Sequence, residues 1–119
     1  MSATGFPDAQ DPTRTSCYTE LMTFHIALYK FKPGVGNDEI NNVLSEVEAL
    51  KDKISGVLDI NTGVNTSIYS EGYTYVILVT AQNSTAIDEY RSHPDHVVVA
   101  EKLSKMEDRG IGVDFETEA

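Results

Sequence analysis

The stretch Thr23–Lys32 constrains this chain more than any other part of it. Its residues alternate, with Phe24, Ile26 and Leu28 on one face and His25, Ala27, Tyr29 and Phe31 on the other. Both faces are largely apolar, so both need cover. Tyr73–Thr80 has the same character. It is β-branched and aromatic, lacks Pro and Gly, and is apolar on both sides, as a central strand is. Helices on one side of a sheet built from such strands leave a second apolar face. His25 is expected on that second face, away from the helices, beside Ala27 and Tyr29.

The remaining elements follow from punctuation. Pro33-Gly34 breaks the first strand, and Asn37 is the expected N-cap of a helix running to about Ile54. Its apolar stripe is Ile40, Val43, Leu44, Val47, Leu50 and Ile54, with Asn41, Asn42, Ser45, Glu48 and Asp52 on the polar side. Gly56 ends it, Val57–Val64 reads as a short strand, and residues 66–72 as a turn. Ser84 or Thr85 caps a short helix to about Arg91, with Thr85 and Asp88 spaced as a capping box. Pro94 opens another helix to about Asp108. Ile111–Phe115 closes the chain as a strand. The order is that of a split βαβ, ferredoxin-like α+β fold. Residues 1–21 carry Pro7, Pro12 and no periodicity, so they read as a flexible tail. The domain is expected over 22–116, with 117–119 as a short end.

At 119 residues the chain makes one small domain, and a second apolar face closed by a copy of itself adds burial that such a domain needs. Nine basic against nineteen acidic residues give a net charge of −10, which disfavours nucleic acid and anionic membrane as partners. Cys17 is the single cysteine, so neither an intrachain disulfide nor a cysteine-rich metal knuckle is expected. The first 20 residues have no basic start and no apolar run, and the expected location is cytoplasmic. Pro33-Gly34-Val35-Gly36 lacks the rest of a phosphate-binding loop, and no serine elbow is present.

Chemistry concentrates in one segment. His96 shares a helix face with Val99, Ala100 and Leu103, which is the inward face. A histidine there can serve as general base or acid, or be a core residue bonded to a backbone carbonyl. Tyr90 shares its face with Ala86 and Ile87. Its phenol is a donor for a developing oxyanion or a buried aromatic with a satisfied hydroxyl. His25, Ala27 and Tyr29 suit a pocket wall, or a polar spot at a dimer seam. His93, before Pro94, is expected to be extended and to act as a cap or loop anchor. A His93, Asp95, His96 metal cluster has spacing but no fixed geometry behind it, so neither metal nor cofactor is expected.

FHIALYKFK, EGYTYVILVT, IDEYRSHPDH and the terminal VDF, in that order, resemble the stress-responsive dimeric α+β barrel (Dabb) family over roughly residues 22–116. The Tyr-x-x-His-Pro-x-His stretch is the most specific part. The resemblance implies a homodimer whose two sheets form a barrel, with a cavity in each half. It also implies, from plant polyketide cyclases of the olivetolic acid type, cofactor-independent aldol-type or lyase chemistry with Tyr90 and His96 as the catalytic pair. His25 then matches a pocket histidine, and Val43, Val47, Val99 and Leu103 join Ala27 and Tyr29 as walls. In those cyclases aromatic residues occupy wall positions where this chain has Val43, Leu44, Val47 and Val99, so the substrate differs. Three functions stay open: an acid/base enzyme acting next to the carbonyl of a small apolar molecule, a non-catalytic stress or ligand-binding protein, and a cofactor-independent monooxygenase.

Overall fold

The structure, a computed structural model, describes residues 21–118. Cys17 and nearly all of the expected tail lie outside the described residues. The order is β1 (Leu21–Phe31), α1 (Asn37–Ala49), a 3-10 turn (Leu50–Lys53), β2 (Val57–Val64), β3 (Tyr75–Ala81), α2 (Ser84–Ser92), α3 (Pro94–Met106) and β4 (Glu107–Glu118). The strands form one antiparallel sheet in the order β2-β3-β1-β4. This is the ferredoxin-like α+β architecture. The two strands with two apolar faces, β1 and β3, are the two interior strands.

The core lies between the helices and one sheet face. Val43, Leu44, Val47 and Leu50 pack with Val99, Leu103 and Met106 of α3, Ala86 and Ile87 of α2, and Ile77, Val79 and Ala81 of β3. Ala27 belongs to this core at 7% exposure. Strand side chains alternate, so His25 and Tyr29 share its side. The expected face is therefore reversed: His25, Ala27 and Tyr29 lie beneath the helices. Alternation says which residues share a face, but two apolar faces do not reveal which one the helices choose.

The opposite face carries Phe24, Ile26 and Leu28 of β1. Register places them beside Thr80, Leu78 and Val76 of β3 and beside Phe115, Val113 and Ile111 of β4. Phe24 and Phe115 stack at 5.2 Å. Ile111, Val113 and Phe115 are 45–47% exposed in the single chain, so this apolar face is uncovered there.

Several boundaries differ from the sequence expectation. Gly36, with extended backbone, takes the N-cap position of α1, and Asn37 is its first helical residue. Asn83 caps α2, its side-chain oxygen accepting from the Ala86 N–H at 2.9 Å, so the Thr85–Asp88 box is not used. β4 starts at Glu107 rather than Ile111, because pairing with β1 along its whole length draws in residues of low strand propensity. The same pairing puts Leu21 and Glu118, the first and last described residues, opposite each other.

Gly56 has a packing reason. A Cβ there would sit 2.5 Å from the Ala86 Cβ. Gly56→Ala is expected to lower stability by about 1–3 kcal/mol through overpacking, measured by chemical denaturation.

Candidate functional site

Pro94 builds the site. It lacks an N–H and breaks the helical path, so α2 ends at Ser92 and α3 starts anew. His93, extended at φ −61° and ψ 134°, caps α3, its Nδ1 accepting from the Asp95 N–H at 3.1 Å. The Asp95 N–H is thereby withheld from the Arg91 carbonyl, which it would reach in a continuous helix. His96 Nδ1 takes that carbonyl instead, at 3.0 Å. A carbonyl only accepts, so Nδ1 carries the proton in the neutral ring and Nε2 keeps its lone pair. Among the described residues Nε2 has no hydrogen-bond partner. Burial lowers the His96 pKa below its ordinary value; the Arg91 carbonyl opposes this, while the positive charges of His25, Arg91 and His93 add to it.

The Tyr90 ring lies 4.4 Å from the His96 ring and 6.0 Å from that of His25. Tyr90 is 3% exposed, yet its hydroxyl has no hydrogen-bond partner among the described residues. Burial pushes its pKa well up, with Tyr29 adding and Arg91 opposing. The phenol therefore stays protonated and is a donor.

These groups face a cavity of about 390 Å³ between the sheet and α1, α2 and α3. Its apolar wall includes Ala27, Val47, Ile77, Val99 and Leu103. Its floor on β4 is made by Gly110 and Gly112, opposite Tyr29 and Ala27. A Cβ at Gly110 would press on Glu107 at 3.0 Å and on the Tyr29 ring at 3.4 Å, so glycine leaves room here that a side chain would fill. At that end burial raises the Tyr29 pKa, and the Glu107 carboxylate adds to it.

At the other end stands an ion cluster. His25 Nδ1 pairs with Asp114 Oδ1 at 2.6 Å, and the Arg91 guanidinium donates to Asp114 Oδ2. Burial raises the Asp114 pKa, but hydrogen bonds from Arg91 and His25 outweigh it and hold the carboxyl below its usual value.

Of the residues expected from sequence, Tyr90, His96, His25, Ala27, Tyr29, Val47, Val99 and Leu103 all line this cavity. Val43 does not. It is a core residue one turn before Val47 and borders a separate groove with Glu39, Asn42, Glu46, Lys102, Lys105 and Met106. His93, Asp95 and His96 do not converge: Asp95 pairs with Lys53 at 2.9 Å, and the two imidazoles serve opposite helix ends. Among the described residues no three His, Cys, Asp or Glu side chains gather as a metal-binding group. Arg91, Glu107, Gly110, Gly112 and Asp114 were not expected. The signal for the last three is the period-two pattern Gly110, Gly112, Asp114, legible only once β4 is known to begin early.

A family model for the stress responsive A/B barrel domain matches residues 24–117. The chain belongs to that family. Among solved structures, a protein of Arabidopsis thaliana is similar at 26% identity and a TM-score of 0.74, covering 82% of this chain and 96% of that one. A dimeric protein of unknown function with a ferredoxin-like fold, from Bacteroides fragilis, is 27% identical with a TM-score of 0.65, covering 81% and 96%. A hydroxynitrile lyase from Passiflora edulis shares the fold at 11% identity and a TM-score of 0.74, covering 81% and 93%. No curated protein matches the chain at a significant level. Among the described residues no helix is long and apolar enough to cross a membrane.

Proposed function

We propose that this stress responsive A/B barrel protein is a cofactor-independent acid/base catalyst acting on carbon next to the carbonyl of a ring-sized apolar molecule. The observation that carries the reading is the pairing of a tautomer-fixed His96 and a buried Tyr90 in one cavity, the His96 Nε2 and the Tyr90 hydroxyl having no hydrogen-bond partner among the described residues. His96 Nε2 takes the proton from the α-carbon. The C–H electron pair moves into the forming C–C double bond, and the carbonyl π pair moves onto oxygen. Tyr90 donates its hydrogen bond to that oxygen. Carbon–carbon bond formation or cleavage at the enolate then gives aldol-type or lyase outcomes. Ala27, Val47, Val99 and Leu103 hold the apolar part, and His25 and Tyr29 contact its polar substituents. The Passiflora lyase is a precedent for lyase activity on this fold, at an identity that carries fold alone.

The uncovered Phe24, Ile26, Leu28, Val113 and Phe115 face supports a homodimer in which two sheets close a barrel. Dimerisation of the Bacteroides relative supports the same assembly.

The test is protein-dependent exchange of deuterium into the α-position of ring-sized ketones such as acetophenone, followed by NMR as a function of pH. Because burial holds the His96 pKa below 6.5, the base form persists in mildly acidic solution. The acid limb of the exchange rate is expected below the ordinary histidine value. The linkage has the same sign: the unfolded histidine binds its proton first, so the stability contributed by neutral His96 is complete above 6.5 and lost as pH falls through the depressed value. An acid limb at or above 6.5 contradicts the assignment of the base.

The close Tyr90–His96 ring contact also supports a second reading, in which the pair packs the wall of a non-catalytic binding site. That reading expects loss of ligand affinity to track loss of stability in Tyr90 and His96 variants, with no exchange in the wild type.

A further inference from the structure

Arg91 is tied to both pocket histidines. Its carbonyl holds His96, and its guanidinium holds Asp114, which in turn holds His25. A carboxylate only accepts, so the proton shared with His25 belongs on Nδ1 of the neutral ring. The Arg91 nitrogen 3.4 Å from His25 Nδ1 is also a donor, so the two converge on Asp114 rather than bond to each other. A second carboxylate, Asp88, lies 3.8 Å from the guanidinium. His25 is thereby left with Nε2 as its one nitrogen available to a ligand, just as His96 is.

We infer that Arg91 and Asp114 are positioning residues that lock the tautomer of His25, giving the cavity a second acceptor nitrogen. The β1 side of the site then recognises a hydroxyl or N–H donor on the bound molecule. The couple acts on a ligand only through His25. The inference rests on the cavity being a ligand site, but its test reads the ring itself and needs no turnover.

Asp114→Asn is the informative variant, because the amide is nearly isosteric and has one accepting and one donating end. Arg91 can only donate, so it takes the amide oxygen. The amide nitrogen then faces His25 Nδ1, which must accept, and the ring proton moves to Nε2. Removing Arg91 as well, with Arg91→Met, frees the amide to turn its oxygen to His25 and restores the first tautomer.

Long-range proton–nitrogen NMR correlations at about pH 8.5, above the ordinary histidine range, distinguish the two forms. The wild type is expected to show Nδ1–H at His25, Asp114→Asn to show Nε2–H, and the double variant Nδ1–H again. His96, held by a backbone carbonyl, stays Nδ1–H throughout and reports that the fold is intact. Should Asp114→Asn fail to fold, Asp114→Ala is read instead, and loss of the Nδ1–H form is expected. An Nε2–H ring in the wild type, or an unchanged ring in the Asp114 variant, overturns the inference. A double variant that stays Nε2–H removes Arg91 from it. Failure of the proposed catalysis leaves these spectra as they are, so the two ideas fail separately.

Discussion

His96→Ala is expected to reduce turnover at the α-carbon by about 10²–10⁴-fold, the range a positioned general base contributes. Tyr90→Phe is expected to lose about 10²–10³-fold, because it removes the donor to the enolate oxygen and keeps the ring. The Tyr90 hydroxyl has no hydrogen-bond partner among the described residues, so the phenylalanine removes no hydrogen bond to them. It should fold with stability close to the wild type, and that separates chemistry from packing. His96→Ala does leave the Arg91 carbonyl without its donor, at a cost of about 1–3 kcal/mol where that group stays dry. Rates compared well below each unfolding midpoint remove this contribution. The second reading expects no turnover from the wild type or either variant, ligand affinity that falls only with stability, and Tyr90→Phe to be nearly silent.

A comparably large effect is expected at the other face of the sheet. Ile26 sits between Leu78 and Val113 in register, on the face that no helix covers. Ile26→Asp puts an unpaired carboxylate at the centre of the proposed sheet-on-sheet contact, where desolvation has no compensation. At about 2–4 kcal/mol for a central interface position, the dimer dissociation constant should rise roughly 30- to 1000-fold. Sedimentation velocity over a concentration series reads this directly. An unchanged dimer would mean that the two copies meet elsewhere. Phe115→Asp, on the same face and stacked against Phe24, should weaken the dimer in the same direction.

Much of this architecture is written locally. The alternation in β1, the apolar stripe of α1, Gly56 and the His93-Pro94 break each specify an element by themselves. The burial of Tyr90 and the inward placement of His96 also follow from helical spacing. What escaped was relational. Two apolar faces of β1 carry no mark of which one the helices cover, so the side on which His25 lies is not legible in the sequence, and the burial of Ala27 in the core decides it. The start of β4 depends on its partner strand, since Glu107-Asp108-Arg109-Gly110 has little strand preference of its own. Without that register, Gly110 falls before the expected Ile111–Phe115 strand, and nothing marks Gly112 as cavity floor or Asp114 as the partner of His25. Val43 shows the limit of helical spacing: it shares a face with Val47, but one turn along the helix carries it beyond the cavity.

The most direct measurement of the central claim compares deuterium incorporation into acetophenone and related ring ketones by the wild type and by His96→Gln, side by side. The glutamine amide can still donate to the Arg91 carbonyl, so the wall of the cavity is kept while the base is lost. Incorporation above the buffer rate with the wild type, and at the buffer rate with the variant, is the predicted result. Equal incorporation by both proteins would contradict the assignment of His96 Nε2 as the base.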